Sequence, residues 1–476
     1  MTPPPHPSPP ADSAVHDLAV VGAGVSGLTL AFWLTHRARR DVVVLEQAPR
    51  PGGKLQTEWL DGYCCEWGPQ GFLDSGQDTL RLVRELGLEA DLRRADGAAG
   101  DRFILRDGRL RRVPLSPLEF LRSDVLSLTG RLRVLLEPFQ PRARAGDESV
   151  FAFACRRIGR EAAEVLVDAM VTGVFAGDAR QLSLPATFPR MRDMESTHGS
   201  LFWAMLALRR QRTRQAAAEE EATPAGGPAG PAGTLATLRL GMQQLTDALA
   251  AALGPRLRLA CPVTTVQRRA GGFTVHLAGG EPLHARHLAL AVPPGAAAAL
   301  LRDVLDPAAL AALREIPSIP IAVVMTGYSD ARPFRHPVRG FGFLVPARER
   351  RRILGTIFCS STFPGQAPGG KTLLRTLVGG ARHPQLAHLP DADLLSLVRQ
   401  ELDTCLGGDP QPEMVHIVRH DEAIPQYTLG HASRVAAVQR GAAAVPGLYL
   451  LGNGYGGVAV NACVTEATQL AARLAS

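Results

Sequence analysis

At 476 residues the chain exceeds what one compact core accommodates, so two or three domains are expected. A net charge of +7, carried without blocks of lysine or arginine, excludes a surface built to track a phosphate backbone, so no nucleic acid partner is expected. Seven scattered cysteines without a C-x-x-C pair exclude a disulfide framework or zinc site and point to reduced thiols in the cytoplasm, and no run of about 18 apolar residues predicts a transmembrane helix.

Residues 1–16 are proline-rich and lack an apolar core, which predicts a disordered leader and not a signal peptide. Ala19–Val21 close a buried parallel strand. Gly22, Gly24 and Gly27 then form G-x-G-x-x-G, and Leu28–His36 continue as an apolar helix. A second strand, Val42–Leu45, ends in Glu46, nineteen residues after Gly27. Each part has a task at a dinucleotide. Gly22 turns the chain, Gly24 admits a pyrophosphate to the backbone, and Gly27 lets helix and strand pack closely. The helix N-terminus offers N–H groups to the phosphates, and Glu46 accepts from a ribose. A glycine-rich turn in an α/β core is the plainer alternative; the flanking strand, helix and acid favour the dinucleotide.

Arg50-Pro-Gly-Gly-Lys54 follows. Its paired glycines either let backbone pass close to a ligand or make a simple turn. Glu66-Trp-Gly-Pro-Gln-Gly71 is another Gly/Pro loop, and Gln77–Leu86 reads as an amphipathic helix ended by Gly87. Residues 91–145 hold twelve arginines against seven acids, with apolar residues interleaved in Leu115–Leu121 and Leu126–Leu136. Such a segment either lies on an anionic membrane surface or forms a solvated helical cap. Arg102, among apolar neighbours, is either a clamp for a carboxylate or an ordinary surface arginine. Helices are expected over Phe151–Ile158, Ala162–Met170 and Leu201–Leu208, interrupted by a turn at Gly173–Gly177. Residues 211–233 run from Arg/Gln through Ala/Glu to Pro/Gly/Ala and read as a flexible insertion.

Gly241–Leu253 is a helix closed by Gly254. Strands at Leu257–Cys261, Val263–Arg268, Phe273–Leu277 and His287–Val292 then return to the dinucleotide sheet. A second, mostly antiparallel sheet is expected from Ile321–Tyr328, Phe341–Val345, Ile353–Ser360, Thr372–Val378 and Glu413–Arg419. One helix, Ala392–Leu406, stands between Asp391 as N-cap and Gly407. In the closing stretch, Gly447–Val460 sets a second glycine turn before a helix from Asn461, another nest of backbone donors. Both ends of the chain thus read as nucleotide cradle, with the substrate part inserted between them.

Four strings carry a family resemblance: Gly173-Val-Phe-Ala-Gly177 with Leu182-Ser183, Ile424-Pro-Gln-Tyr-Thr-Leu-Gly-His431, Gly456-Gly-Val-Ala-Val-Asn461 with Cys463, and Gly340-Phe-Gly-Phe-Leu-Val-Pro346. On them the chain resembles the oxygen-dependent, FAD-containing protoporphyrinogen oxidases of the amine-oxidase-like flavoprotein superfamily. The similarity runs from Leu18 to Ala472 and lapses in the leader and in 211–233. It implies an α/β fold with a Rossmann-type FAD-binding domain built from residues 17–90, 234–295 and 430–476. A helical, membrane-associating and substrate-cap domain would cover 91–210, and an inserted, mostly antiparallel α+β substrate domain 296–429. FAD contacts are implied at Gly22, Ala23, Gly24, Val25, Ser26, Gly27, Glu46, Gly53, Lys54, Gly68, Pro69, Gln70, Gly71, Val263, Asn453, Val458, Ala459 and Val460. Lys54 departs from the aromatic or arginine of some relatives, where backbone contact tolerates the change. Arg102 matches the family's propionate-binding arginine. Phe341, Leu344 and Leu377 match the apolar residues that sandwich the tetrapyrrole, and Gly173 matches a turn whose carbonyl faces it. The implied partners are a porphyrinogen, O₂, the inner face of the cell membrane met peripherally, ferrochelatase and a second copy of the chain; no metal is implied.

The implied reaction is hydride transfer from a meso carbon to flavin N5, three times over, with O₂ as acceptor and H₂O₂ as product. No side chain is assigned as catalytic on this reading, and His420 and His431 are read as structural. Three rivals stand beside it. A coproporphyrinogen III oxidase would need a larger, more basic pocket, to which Arg335, Arg339, Arg348, Arg350, Arg351, Arg352 and Arg375 could contribute. An amine oxidase or carotenoid desaturase is disfavoured because Tyr449 is the sole aromatic in Val445–Leu451. A non-catalytic binding protein on the same fold is disfavoured by the intact Gly52-Gly53 and Gly452–Val460 cradle.

Overall fold

A computed structural model describes residues 15–142, 146–216, 233–330 and 332–475. The expected leader and most of the 211–233 insertion lie outside them. The fold is mixed α/β, built on two seven-stranded sheets.

The first sheet gathers strands from remote parts of the chain in the order Leu257–Arg258, Val42–Leu45, Val15–Val21, Leu283–Leu290, Gly272–Leu277, Val263–Arg269. Leu448–Leu450 adds a further parallel partner to Leu283–Leu290. Val15–Val21 pairs in parallel on both sides, with Val42–Leu45 and with Leu283–Leu290. Unbroken apolar runs such as Val42–Leu45 suit this position, because both faces are covered. On one face the helix Val25–His36 packs against the last helix, Val460–Ala475, and Trp33 Nε1 donates to Thr468 Oγ1 at 3.1 Å. Helices over 294–314 and His431–Ala443 cover the other face. The chain's two ends therefore share one core.

The second sheet runs Met414–Pro425, Ser318–Tyr328, Thr372–Gly379, Ile353–Phe358, Gly342–Leu344, Arg102–Arg106, Arg109–Arg112. All its pairs are antiparallel except Gly342–Leu344 with Arg102–Arg106. Residues 102–112, grouped by composition with the helical stretch, thus form a hairpin that completes this sheet. The signal was local: Asp107 (φ 50°) and Gly108 (φ 72°) are the Asp-Gly pair that a tight hairpin turn demands. Helix Asp391–Leu406 covers one face. Asp391 is its first residue and not its N-cap, which is Pro390; the Asp391 carboxylate is engaged by Arg419 Nη2 at 2.6 Å.

Between these strands lie helices Pro117–Arg122, Leu128–Leu135 and Val150–Ile158, then a helical run over 160–175 and helices Leu184–Thr187, Pro189–His198 and Leu201–Ala216. The run over 160–175 widens to a π turn at Ala163–Val167. Gly173, expected in a turn, occupies the last turn of this helix. The helix ends where Ala176 adopts a left-handed conformation (φ 47°).

Candidate functional site

Three loops meet at the carboxyl ends of Val15–Val21 and Val42–Leu45. Gly22 turns with φ 100°. A Cβ on Gly27 would lie 2.0 Å from Gly22 O and 3.2 Å from Ala291 Cβ, so packing within the chain requires both glycines. Gly24 differs, because nothing lies within 4 Å of where its Cβ would stand. Packing within the chain does not need a glycine there; an approaching ligand does. The Gly52-Gly53 loop closes onto it: Gly52 N donates to Ala23 O at 2.8 Å. A Cβ on Gly53 would lie 3.3 Å from Gly24 Cα, and one on Gly68 would lie 2.0 Å from Lys54 O. Gly22–Gly27, Gly53-Lys54 and Gly68–Gly71 are therefore one continuous groove lined by backbone. At one end Glu46 accepts from Ala23 N (2.7 Å) and Ala48 N (2.9 Å), which leaves each oxygen a lone pair for a hydroxyl. Cys261 N donates to Glu46 O at 2.8 Å, which brings the start of the Val263–Arg269 strand to the same end.

The C-terminal loop arrives beside this groove. Gly452 N donates to Glu466 Oε2 at 2.8 Å, and a Cβ on Gly452 would lie 4.0 Å from Ser26 Oγ. Helix Val460–Ala475 starts just beyond, after Val458 and Ala459, with the unbonded N–H groups of its first turn. Polar atoms along the seam are buried without a hydrogen-bond partner among the described residues: Arg375 Nε, Gln70 Oε1 and Asn461 Oδ1. Two of their side chains are anchored on the Gly68–Leu73 loop, Arg375 Nη2 to Gly68 O at 2.6 Å and Asn461 Nδ2 to Leu73 O at 2.8 Å. A long groove of bare backbone with unmet polar valences at its inner end fits a dinucleotide carrying a flat polar ring.

The second sheet supplies the adjoining slot. Two rows of residues are in register across its strands: Arg102, Gly342, Ile357, Arg375, Met325, and Ile104, Leu344, Gly355, Leu377, Val323. A Cβ on Gly342 would lie 2.1 Å from Thr356 O and one on Gly355 2.5 Å from Phe343 O, so the close approach of these strands calls for glycine at both positions. Gly173 faces this sheet from the helix, and a Cβ there would touch Leu344 Cδ1 at 3.0 Å. Phe341, Leu344 and Leu377 are each half-buried, unlike the sealed residues behind them. Arg102 stands accessible at the outer end, its guanidinium 5.4 Å from the centre of the Phe341 ring. No acid among the described residues pairs with it, and the surrounding atoms lower its pKa by desolvation, as expected for a cation in an open concavity. From Arg102 to Arg375 is three inter-strand steps, about 14 Å.

The other arginines weighed for a basic pocket are mostly committed elsewhere. Arg351 and Arg352 share Glu401 at 2.7 and 3.1 Å, Arg348 leans on Glu164 at 3.8 Å, and Arg375 is buried against Gly68. Sequence reasoning missed Gly342, Gly355, Ile357 and Tyr427. Glycines inside apolar strands were the available signal for the first two. A separate cleft of about 290 Å³, lined by Arg268, Arg269, Arg286 and His287 among others, sits at the amino end of the first sheet, away from the groove.

The flavin containing amine oxidoreductase family matches residues 25–475. Among curated proteins, the protoporphyrinogen oxidase of Bos taurus is 34% identical, covering 96% of this chain and 98% of its own. The chloroplastic protoporphyrinogen oxidase of Nicotiana tabacum is 32% identical (96% and 85%). The coproporphyrinogen III oxidase of Bacillus subtilis (strain 168) is 29% identical (94% and 96%). A solved structure from Exiguobacterium sp. 255-15 superposes with a TM-score of 0.83 at 26% identity, covering 97% of this chain and 99% of that one. Cyclohexylamine oxidase from Brevibacterium oxydans IH-35A shares the fold at a TM-score of 0.69 and 19% identity.

The contrast between Gly24 and Gly27 is testable. Gly27→Ala should lower the unfolding free energy of the flavin-free chain by about 1–3 kcal/mol through overpacking. Gly24→Ala should leave thermal unfolding unchanged and weaken flavin binding, read by flavin retention on gel filtration. Equal stability losses in the two variants would refute the distinction.

His431 gives a second test. Its side chain is 2% exposed, neither ring nitrogen has a partner among the described residues, and burial lowers its pKa to about 4. Arg434 on its own helix adds to the lowering, and Asp147 opposes it. The unfolded chain, with histidine near 6.5, then binds more protons than the native one between those values. Stability is fully present above about 6.5 and falls as pH drops towards 4. His431→Phe should flatten that slope in urea melts; an unchanged slope would show that this ring is not the source.

Proposed function

The chain belongs to the flavin-containing amine oxidoreductases, and we propose that within this family it oxidises protoporphyrinogen IX to protoporphyrin IX. The cofactor is FAD. The observation that carries the reading is the slot. Its floor of Gly342, Gly355, Leu344 and Leu377 is apolar, and Arg102 stands about 14 Å across the sheet from Arg375, which bonds the Gly68 loop. A porphyrinogen has the complementary form: wide, apolar, and carrying carboxylates on one edge.

What FAD supplies when bound is two-electron oxidation renewed by O₂, so that three rounds turn a porphyrinogen into a porphyrin with three O₂ consumed and three H₂O₂ released. The chain's own residues bind and orient. Gly22–Gly27 and Gly53-Lys54 hold the pyrophosphate and Glu46 a ribose, beside Val263. Gly68–Gly71, Asn453 and Val458–Val460 hold the ring end. Arg102 takes a propionate, while Phe341, Leu344 and Leu377 bear on the macrocycle and keep water out, and Gly173, packed on Leu344, turns backbone to its edge. The FAD-binding part is then the first sheet with its helices, assembled from both chain ends, and the second sheet is the substrate part. Coproporphyrinogen III is the second reading, favoured by the relative from Bacillus subtilis.

An aerobic assay of both porphyrinogens, followed by porphyrin fluorescence, tests the choice. Faster turnover of protoporphyrinogen IX is expected, and preference for coproporphyrinogen III would move the assignment to the second reading. A chain that is colourless and cannot be reconstituted with FAD would refute both. Arg102→Ala should raise KM about fivefold, the ~1 kcal/mol worth of an accessible ion pair, with flavin content unchanged. Loss of FAD instead would put Arg102 in the cofactor groove.

Part of this reading is peripheral attachment to the inner face of the cell membrane. Among the described residues no helix is long and apolar enough to cross a membrane. Leu128, Leu132, Leu135 and Leu136 form one helical face that is turned outward, and Phe139 beyond it is 80% exposed. Phe202 and Trp203 continue the patch. A buried Arg157–Glu137 ion pair fixes it, and Glu137 also caps helix Leu201–Ala216 through Ser200 Oγ (2.6 Å) and Leu201 N (2.8 Å). An apolar face held this rigidly in water, flanked by Arg122 and Arg142, suits a lipid interface. The chain should co-sediment with phosphatidylglycerol vesicles, and Leu132→Glu with Phe139→Glu should abolish this while detergent-phase activity persists. Unchanged sedimentation would refute the attachment.

A further inference from the structure

Tyr427 lies in the most specific of the sequence strings, Ile424–His431, to which the proposed reaction gives no task. Its hydroxyl makes two bonds, both to the backbone of the C-terminal glycine loop. It accepts from Gly457 N at 2.9 Å and donates to Asn453 O at 2.6 Å. Those two backbone groups are four residues apart, so the phenol closes the loop between them like a rung. Gly457 has φ 140° and Gly452 φ 121°, conformations in which a glycine chain has wide freedom. A turn from Tyr455 N to Gly452 O (3.2 Å) and a long Cys463 Sγ contact to Gly457 O (3.8 Å) are the loop's other ties, and neither bonds Asn453 O or Gly457 N.

Two rings fix the phenol. It stacks on His431 with centroids 4.0 Å apart and planes 13° apart, and Phe175 meets it at 5.7 Å. Its backbone is laced to the helical segment: Ser183 N donates to Tyr427 O at 2.8 Å, Leu429 N to Gln181 O at 2.9 Å, and Gln426 Nε2 to Phe175 O at 2.9 Å. Tyr427 is 2% exposed, and burial raises its pKa, so the hydroxyl stays protonated as the donor to Asn453 O requires. The His431 ring, neutral at physiological pH and with neither nitrogen bonded among the described residues, serves as a flat wall for the phenol.

We infer that Tyr427 is a positioning residue for the cofactor: its hydroxyl holds Asn453–Gly457 in the form that receives FAD ahead of Val458–Val460. The inference rests on the reading of Gly452–Val460 as flavin cradle. Tyr427→Phe keeps the ring and the stack and removes only the rung, leaving Gly457 N and Asn453 O unpaired. FAD release from the holoenzyme, followed by recovery of free-flavin fluorescence, should quicken by about tenfold or more, the scale of a lost buried hydrogen bond. The gap between the melting temperatures of holo- and FAD-free protein should shrink, because that gap measures cofactor binding to the folded chain. A merely structural tyrosine would lower both temperatures together. Hydrogen exchange on the unaltered FAD-free chain gives a measurement independent of any variant: the Gly457 amide should be protected. FAD release within twofold of the unaltered protein, an unchanged melting gap, or a fast-exchanging Gly457 amide would each overturn the inference. Failure of the unaltered chain to bind FAD at all would instead overturn the reading beneath it.

Discussion

The structure depends on backbone meeting backbone without side chains between. Gly52 N reaches Ala23 O, Gly53 stands over Gly24, and Lys54 O lies under Gly68. Any Cβ on Gly27, Gly52 or Gly68 would strike an atom within 2.7 Å. These approaches draw three separate turns into a single wall. The last helix then seals the wall through its packing on Val25–His36 and the bond from Trp33 to Thr468. The two sheets owe their relation to this wall, since the Glu66–Gly71 loop that completes it is also the loop on which the second sheet rests.

That resting contact carries charge into an otherwise apolar seam. Arg375 is buried, in register between Met325 and Ile357, with a bond to Gly68 O and an unused Nε. Glu66 nearby is buried too; burial pushes its carboxyl up to about 8, against the pull of Met242 N, Thr57 Oγ1 and the guanidinium of Arg375. His420 Nε2 donates to Trp67 O at 2.9 Å from the other side. A buried cation with spare hydrogen-bonding capacity is costly unless something polar completes it. On the proposed reading, a polar ring in the groove supplies that partner, at the place where the two sheets meet.

Periodicity and punctuation disclosed much of this from sequence. Val20-Val-Gly-Ala-Gly with Val42–Glu46 announced the first sheet because a buried parallel strand and its glycine turn are written within a few residues. The Ile321–Tyr328, Ile353–Ser360 and Thr372–Val378 strands were legible for the same reason. Arg102–Arg112 was not, because alternating arginines masked a two-residue turn and composition over fifty-odd residues outweighed it. The slot was harder still. Arg102, Gly342, Ile357 and Arg375 become neighbours only through strand register, which no local pattern encodes across 270 residues. Tyr427 lies in a string whose distinctiveness was plain, but its partners Asn453 and Gly457 are set by tertiary contact.

The slot's composition also divides labour between affinity and orientation. At about 25 cal/mol per Å², each ~40 Å² of apolar floor covered is worth ~1 kcal/mol. An accessible ion pair such as Arg102 with a carboxylate contributes about 1 kcal/mol at most. On the reading proposed above, Leu344 and Leu377 hold the macrocycle, and Arg102 decides which edge points outward. A flat molecule on a flat floor has several nearly equivalent orientations, and a lone cation at one rim is enough to break that degeneracy. Further cations would add little grip, and each would have to be desolvated beside Leu344 and Leu377. The diversion of Arg351 and Arg352 to Glu401, outside the slot, is the arrangement that this balance favours.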